Sequence, residues 1–458
     1  MGDAIVLFGA TGDLSRRKIL PALNNLLKLG KLPSDLEVVG LATRQLNLQE
    51  FFDYVKAPEL IRNHLSYLSG DFKAHETYEA LKERLAAKKN IIFYLATPPS
   101  FYVTISSMLA EHGIATREQA NGFHHIIVEK PFGMDLESAR ELNKSLLSHF
   151  NEDQIFRIDH YLGKETVQNI AAFRFSNGIF EPIWNRRYID FVTITVAEDI
   201  GVENRGKYFE EAGMLRDIVQ NHLLQVLALI AMEPPVKFDA DNVRDEKVKV
   251  FRSIRKVRIK DVIRGQYKGY HGEENVASDS MVETFVGAKF YVENWRWAGV
   301  PFYIRTGKKL PKKTTEVVIS FRQPPMRMFD VEQDHVCGMP NQLVIGLQPE
   351  SFIDIRFGVK KPGPGMDMMP VDMKFNYSKY MSEDTISDYQ RLLLDCYKKD
   401  LTLFARNDGV EACWQIIDPI EEAWQNLTDD MKIYKPGSWG PELSDIMDDH
   451  CHGFQESY

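Results

Sequence analysis

The sequence predicts an α/β domain of the Rossmann type, followed by a larger α+β domain built on a mainly antiparallel sheet. Up to about residue 150, short apolar runs alternate with longer segments of helical period, as in a doubly wound parallel sheet. A glycine-containing loop follows the first of these runs. After about residue 155, the segments lengthen and partly alternate apolar with polar residues. We therefore divide the chain into residues 1–155 and 156–458.

The individual elements follow from these patterns. Apolar runs without polar alternation predict buried strands in the first domain, at residues 4–8, 37–41, 91–95 and 125–128. Helical spacing from Ile19 to Leu27 predicts a helix, and Pro21 favours a late start or a kink. Period-two runs predict strands in the second domain, at residues 191–196, 285–292, 317–321 and 352–357. The Pro- and Gly-containing stretch at 360–369 indicates a long loop.

Composition excludes several classes of protein. The longest apolar helix pattern, at residues 223–232, is about half of a membrane span, and no secretion signal is recognisable. A net charge of -9 argues against a nucleic-acid or membrane-surface partner. Cys337, Cys396, Cys413 and Cys451 have no paired spacing, so we expect free thiols, a reducing compartment and a cytoplasmic location. Residues 449–452 offer metal-binding side chains, but a short polar tail is favoured.

The loop after the first strand is the first functional candidate. It contains Gly9, Ala10, Thr11, Gly12, Asp13 and Leu14 and leads into the predicted helix. Glycines at a strand-to-helix junction let backbone N–H groups approach a pyrophosphate, so we predict dinucleotide binding. Ser15 stands where a third glycine is usual, and a purely structural turn is the alternative. A phosphate loop of the NTPase kind is excluded because no Gly-Lys-Ser/Thr follows Gly12.

The end of the second strand indicates which nucleotide is used. No acidic residue stands at 40–45 to accept the ribose hydroxyls of NAD, whereas Arg44 offers a partner for the 2′-phosphate of NADP. NADP is therefore predicted, with NAD as the alternative. Arg44 could also be an ordinary solvated charge.

Ionisable residues follow two further strands. Lys130, in the run 129–133, comes directly after an apolar run and is predicted at the carboxyl edge of the sheet. In the run 157–165, Asp159 and His160 point to opposite sides of an extended chain, and Lys164 precedes a helical segment that could meet an anion. The structural alternatives are a turn at Lys130 and a surface ion-pair cluster at 157–165.

Two later segments add a base and cations. His222 lies on the apolar stripe of a helix predicted to begin near residue 211, where a satisfied core histidine is the alternative to a general base. Residues 305–313 place five cations after an apolar strand at 300–304, which predicts a local phosphate site, or otherwise a solvated face.

In this order the segments resemble the glucose-6-phosphate dehydrogenase family over nearly the whole chain, above all in the run 157–165. The resemblance implies oxidation of glucose 6-phosphate to 6-phosphogluconolactone with NADP, the first step of the oxidative pentose phosphate pathway. It implies a substrate-binding and dimerisation role for the second domain, a homodimer or homotetramer, and no metal.

The resemblance also assigns roles to individual residues. His222 is the base that removes the anomeric hydroxyl proton, and Asp159 orients it. The substrate phosphate is held by His160, Tyr161 and Lys164. The remaining substrate contacts come from Lys130, Glu198, Asp217, Lys308 and Lys313. Lys130 also lies near the nicotinamide, and the Lys130–Pro131 peptide is expected to be cis.

Two positions depart from the family pattern. The arginine for the 2′-phosphate usually stands at the place of Thr43, one residue before Arg44. Asp217 and His222 are five residues apart, about 140° round a regular α-helix, so they share a pocket only if the helix is irregular or Asp217 lies in its first turn. Two rival hypotheses stay open: another sugar oxidoreductase with a Glu-Lys-Pro segment, and a catalytically silent nucleotide sensor.

Overall fold

A computed structural model of the chain describes residues 2–117, 122–326, 328–329, 341–380, 386–427, 430–448 and 454. In chain order the strands are β1 (Ala4–Phe8), β2 (Glu37–Ala42), β3 (Leu65–Ser69), β4 (Asn90–Leu95), β5 (Phe123–Val128), β6 (Ile155–Ile158), β7 (Ile189–Ala197), β8 (Val262–Tyr267), β9 (Phe285–Tyr291), β10 (Pro301–Gly307), β11 (Thr314–Phe321), β12 (Gln342–Gln348), β13 (Phe352–Lys360), β14 (Met368–Asn376), β15 (Phe404–Ala405) and β16 (Lys432–Tyr434).

The α-helices are α1 (Leu20–Lys28), α2 (Leu48–Val55), α3 (Glu59–Arg62), α4 (His75–Leu85), α5 (Tyr102–Glu111), α6 (Leu136–His149), α7 (Glu165–Ser176), α8 (Gly206–Met214), α9 (Leu224–Ala231), α10 (Ala240–Ser253), α11 (Asp388–Tyr397) and α12 (Asn407–Gln425). Two π-helical segments, Ser15–Ile19 and Leu215–Leu223, lead into α1 and α9. None of the helices in the described ranges combines the length and the apolar character needed to cross a membrane.

The first compact unit is formed by the described residues of Met1–Lys164, Pro235–Asp245 and Glu383–Glu411. Its sheet has the order β15-β6-β5-β4-β1-β2-β3, and all pairs are parallel except that of β15 with β6. This is the strand order of the Rossmann fold with one short antiparallel strand added at the edge. The predicted fold of this part of the chain is confirmed.

Most of the predicted strands of this unit recur within two residues of their expected ends. Pro21 is the second residue of α1, directly after the π-helical segment Ser15–Ile19. The helical backbone therefore begins before the proline, and a late start is wrong; the irregularity predicted near Pro21 takes the form of the π-helical segment. Strand β3 was not predicted, and the strand implied before the run 157–165, which is β6, was given no bounds. The residues of β3 after Leu65 are only half-buried, and β6 has four residues, so neither gives a long apolar run.

The second compact unit is formed by the described residues of Glu165–Pro234, Glu246–Ser382 and Ala412–Tyr458. Its sheet has the order β14-β13-β12-β11-β7-β10-β9-β8-β16. The pairs are antiparallel except β7 with β10 and β8 with β16. The predicted mainly antiparallel sheet is confirmed. The division of the chain at residues 155 and 156 stays a prediction.

The long loop predicted at residues 360–369 is wrong in its extent. Strand β13 continues to Lys360 and β14 begins at Met368, where the two residues pair, so the connection is residues 361–367. Pro370 lies within β14, which is an edge strand, where a residue without an N–H is tolerated.

Candidate active site

The loop after β1 is a tight turn held by main-chain hydrogen bonds. Gly9 has a φ of 79°, and a Cβ on it would lie 2.3 Å from the carbonyl oxygen of Ala96. The amides of Gly9 and Ala10 donate to the carbonyl of Leu41, at 2.8 and 3.2 Å. Only glycine fits at position 9, because any side chain would strike the end of β4.

Ser15, which stands where a third glycine is usual, is bonded to the glycine turn. Its side chain is buried, and its hydroxyl donates to the carbonyl of Gly9 at 2.9 Å. The amide of Gly12 donates to the same carbonyl at 2.9 Å. The loop is therefore closed onto the start of the helix by side-chain and main-chain bonds together. Asp13 is exposed and forms ion pairs with Arg16 and Arg17.

Arg44 lies two residues beyond β2 and is exposed, as is Thr43. Its guanidinium stacks on the ring of Tyr54, 4.5 Å from the ring centroid. Its carbonyl accepts a hydrogen bond from the hydroxyl of Tyr67 at 2.5 Å. The guanidinium of Arg44 thus contacts Tyr54, and its carbonyl is bonded to Tyr67. These contacts argue against an ordinary solvated charge.

The residues after β5 are anchored by tyrosines. The Lys130–Pro131 peptide is cis, as expected. Glu129 is half-buried; its Oε1 accepts from the hydroxyl of Tyr94 at 2.6 Å, and its carbonyl accepts from that of Tyr102 at 2.9 Å. Burial raises the pKa of Glu129 to about 7, although the bond from Tyr94 and the charge of Lys130 lower it. Glu129 was not predicted, and its place beside Lys130 was the available signal.

The residues after β6 form a turn and not the extended chain that was predicted. Asp159 is 2% exposed, its carbonyl accepts from the amide of Leu162 at 3.0 Å, and its Oδ1 accepts from the amide of Tyr161 at 2.9 Å. The expectation that Asp159 and His160 alternate across a strand is therefore wrong, because β6 ends at Ile158. His160 is half-buried.

Lys164 stands directly before α7, as predicted. Its Nζ lies 3.7 Å from the centroid of the Tyr161 ring. Since β1, β2, β5 and β6 are parallel, the glycine loop, Arg44, Lys130 and residues 159–164 all follow strand ends at the same edge of the first sheet. That edge is where open α/β sheets bind their ligands.

Thr97 is a residue that the sequence reasoning missed at this edge. It follows β4, and its buried Oγ1 has no hydrogen-bond partner among the described residues. Its Cγ2 lies 3.2 Å from where a Cβ of Gly9 would be. An orphan hydroxyl beside the glycine turn fits a site that binds a polar ligand.

In the second unit, the parallel pair β7 and β10 brings Glu198 and Lys308 together. Gly307 is paired with Ala197, so the next residue of each strand emerges side by side. The Nζ of Lys308 lies 2.5 Å from Oε2 of Glu198, and Lys308 is 2% exposed. Two predicted substrate-binding residues therefore form one partly buried ion pair at the carboxyl ends of two strands.

The other cations of residues 305–313 lie in different surroundings, and a local phosphate site among them stays a prediction. Arg305 is buried, with its guanidinium 4.2 Å from the centroid of the Trp439 ring. Lys309 pairs with Glu273 at 2.8 Å. Lys313 is exposed just before β11. The cations are separated because β10 ends at Gly307 and the chain turns at Lys309, whose φ is 49°.

The helix that carries Asp217 and His222 is irregular. It begins as the π-helical segment Leu215–Leu223, after Gly213 interrupts α8 with a φ of 63°. In a π-helix, residues five apart are bonded across one turn, so Asp217 and His222 lie one turn apart instead of 140° apart. His222 is 1% exposed, and Asp217 accepts a hydrogen bond from Tyr208 at 3.0 Å. The condition for a shared pocket, an irregular helix at Asp217, is therefore met.

Asp159 belongs to the first unit and His222 to the second, so their pairing stays a prediction. Among the described residues no group of three or more His, Cys, Asp or Glu side chains is placed to hold a metal. Cys396 and Cys413 are buried free thiols, as predicted. Cys337, Cys451 and the tail at 449–452 lie outside the described residues.

Two family models together match nearly the whole chain. Residues 6–169 match the family model "Glucose-6-phosphate dehydrogenase, NAD binding domain", and residues 171–454 match "Glucose-6-phosphate dehydrogenase, C-terminal domain". The glucose-6-phosphate 1-dehydrogenase of Aggregatibacter actinomycetemcomitans is 43% identical over 477 residues, covering 97% of this chain and 95% of its own.

Solved structures agree over the same length. A glucose-6-phosphate dehydrogenase in complex with its substrate glucose-6-phosphate has a TM-score of 0.91 and 34% identity, with 99% of both chains covered. The glucose-6-phosphate 1-dehydrogenase of Mycobacterium avium has a TM-score of 0.87 and 35% identity, with 100% of both chains covered. The chain therefore belongs to the glucose-6-phosphate dehydrogenase family.

Proposed function

We propose that this chain oxidises glucose 6-phosphate to 6-phosphogluconolactone with NADP, the first step of the oxidative pentose phosphate pathway. The observation that carries the proposal is the π-helical segment, which sets a buried imidazole, His222, one turn from the carboxylate of Asp217. A buried imidazole beside carboxylates suits removal of a hydroxyl proton near neutral pH. Family membership indicates the sugar phosphate as the source of that proton.

Each residue of the proposed site has a stated role in binding or in proton removal. His222 takes the proton of the anomeric hydroxyl while the carbon loses its hydrogen with the bonding electron pair, and a lactone carbonyl forms. Asp159 orients His222 and stabilises its charged form. His160, Tyr161 and Lys164 hold the phosphate. The sugar hydroxyls are contacted by Lys130, Glu198 and Asp217, and Lys308 and Lys313 complete the substrate site. Fixing the far end of the sugar sets the reacting carbon against the base.

The first unit fits a dinucleotide. The turn at Gly9 leaves no room for a side chain, and Thr97 offers an unsatisfied hydroxyl beside it. Residues 9–14 would hold the pyrophosphate, Arg44 the 2′-phosphate, and Lys130 would lie near the nicotinamide. When bound, the nicotinamide accepts the hydride from the sugar. The stacked Arg44 supports NADP over NAD, with NAD as the alternative cofactor.

We further propose a cytoplasmic homodimer or homotetramer that associates through the second unit's sheet. The edge strand β14 exposes apolar side chains, including Met373 at 63%. Exposed apolar edge strands are normally covered by a partner. Buried free thiols at Cys396 and Cys413 agree with a reducing compartment. Light scattering on the purified protein gives the mass of the assembly, and a monomeric mass would contradict the proposal.

The function is tested by following reduced nicotinamide at 340 nm with purified protein. Glucose 6-phosphate and glucose are each offered with NADP and with NAD. We expect turnover with glucose 6-phosphate and NADP and far less with glucose. Similar rates with both sugars would contradict a phosphate site and favour a different sugar oxidoreductase. No reduced nicotinamide with any pair would favour a silent nucleotide-binding protein.

A further inference from the structure

The start of the π-helical segment is held by one residue from outside the helix. After the break at Gly213, the amide of Met214 donates to the carbonyl of Glu283 at 3.1 Å. The amide of Leu215 donates to Oε1 of the same residue at 2.8 Å. Glu283 stands two residues before β9, so the sheet of the second unit supplies the cap.

No local side chain performs this task. The residue at the cap position, Met214, makes no side-chain capping bond. Helix starts leave amides without partners, and a buried start such as this one needs an acceptor from elsewhere. Leu215 is fully buried, so water cannot supply that acceptor. Glu283 therefore replaces the usual serine, threonine or aspartate cap.

Gly213 makes room for the carboxyl group. A Cβ on Gly213 would lie 2.5 Å from Oε1 of Glu283, and the positive φ of this residue also requires glycine. Gly213 therefore serves both features. Its backbone conformation interrupts α8, and its lack of a side chain leaves room for the carboxyl group that caps the π-helical segment.

The carboxyl group lies beside a cavity of about 280 Å³. The cavity is lined by Arg216, Arg264, Glu210, Glu283, Glu421 and Trp424, among others. Arg216 pairs with Glu421 at 3.3 Å. Burial, and then the charge of Glu421, raise the pKa of Glu283 to about 8. The buried surroundings of the carboxyl group that caps the helix therefore favour its uncharged form, which an amide can imitate.

We infer that Glu283 is a positioning residue for the proposed reaction, because it fixes the π-helical turn that keeps Asp217 and His222 one turn apart. Without an acceptor at this place, the segment is free to relax toward an α-helix, in which the two residues point about 140° apart. The inference rests on the proposed function, since it takes His222 as the base.

The test compares two substitutions with opposite hydrogen-bonding ability. Glu283→Leu removes the acceptor, whereas Glu283→Gln keeps an oxygen for the amide of Leu215. For Glu283→Leu we expect kcat with glucose 6-phosphate to fall about a hundredfold, the size of a misplaced catalytic group, while the KM for NADP stays within about twofold. For Glu283→Gln we expect kcat within about threefold of the wild type.

Asp354→Leu is the matched control. Asp354 is a buried carboxylate, 3% exposed, on β13, which is five strands from β9 in the same sheet. The substitution makes the same chemical change away from the π-helical segment. We expect it to lower the melting temperature and leave the kcat of the folded protein within about twofold.

Hydrogen exchange gives a readout that does not depend on the reaction. In folded Glu283→Leu without substrate, the amides of residues 215–223 are expected to exchange faster than in the wild type. The amides of β1 and β4 are expected to exchange at the wild-type rate. If Glu283→Leu does not fold, Glu283→Met, which has an unbranched side chain, must show the same two changes.

Several results would overturn the inference while the wild type remains active. They are wild-type kcat in Glu283→Leu, unchanged exchange over residues 215–223, equal damage in the Gln and Leu variants, or an equal loss of kcat in Asp354→Leu. An inactive wild type would instead overturn the proposed function. The exchange result would still decide whether Glu283 holds the segment.

Discussion

Asp217 and His222 lie one π-helical turn apart, although five residues separate them in the chain. A regular α-helix would point them about 140° apart. A π-helix adds a residue to each turn and so brings such a pair onto one side. This distortion of a helix is the feature on which the proposed proton removal depends.

The first prediction concerns cofactor choice. Arg44→Ala removes the guanidinium stacked on Tyr54 and is expected to raise the KM for NADP about ten- to a hundredfold, because bonds to a charged phosphate contribute about 1.5–3 kcal/mol. The KM for NAD is expected to change less than threefold. Steady-state kinetics with both cofactors measure this, and Thr43→Ala is the neighbouring control. An equal loss for both cofactors would remove the assigned role.

The second prediction concerns the glycine turn. Gly9→Ala is expected to destabilise the protein and abolish NADP binding, because the new Cβ meets the carbonyl of Ala96 at 2.3 Å. Gly30→Ala is the matched control: Gly30 also has a positive φ, 62°, but nothing lies within 4 Å of the added carbon. Gly30→Ala is therefore expected to lower the free energy of unfolding only by the backbone strain, about 1 kcal/mol. Thermal melts and NADP titrations of both variants measure the difference, and equal effects would show that the contact with Ala96 is unimportant.

The third prediction concerns pH. Burial raises the pKa of Glu129 from 4.5 to about 7, so between these values the native chain keeps a proton that the unfolded chain releases. The stability due to this group is therefore full below pH 4.5 and is lost as the pH rises to about 7, a change on the order of 3 kcal/mol.

Glu129→Gln cannot ionise, so its stability should not fall in this way. Urea unfolding of both proteins from pH 4.5 to 8 measures the effect. The difference between the two profiles isolates Glu129 from the other titrating groups. Parallel profiles would mean that Glu129 titrates near its ordinary pKa.

The fourth prediction concerns the pair of Glu198 and Lys308. Glu198→Gln leaves the buried ammonium of Lys308 without its carboxylate and is expected to cost on the order of 3 kcal/mol. Lys308→Met added to it removes the unpaired charge and is expected to restore part of that loss. The double-mutant cycle is measured by urea unfolding. Additive losses would show that the two side chains do not depend on each other.

Much of the fold was predictable because strands covered on both faces read as apolar runs. The strands β1, β2, β4 and β5 follow from this rule, and so does the carboxyl edge that carries Lys130. Strand β3 was missed because its residues after Leu65 are only half-buried and include two serines. The start of β14 was read as part of a loop because prolines and glycines precede it.

The strand ends that carry several candidate site residues were predictable, but the local geometry of those residues was less so. Asp159 and His160 were placed on an extended chain because a strand precedes them, whereas the turn after β6 depends on a bond from the amide of Tyr161. Glu283 lies 61 positions beyond His222 in the chain. No local pattern connects it with the helix, since its contact with Leu215 exists only through tertiary packing.

The central claim is that the imidazole of His222 takes the proton from the sugar. His222→Asn keeps a polar side chain of similar reach and removes the base. Its kcat with glucose 6-phosphate and NADP, followed at 340 nm beside the wild type and a His64→Asn control, is expected to fall about a hundred- to ten-thousandfold, with the substrate KM within a few-fold. A normal kcat with a greatly raised KM would contradict the claim and make His222 a binding residue.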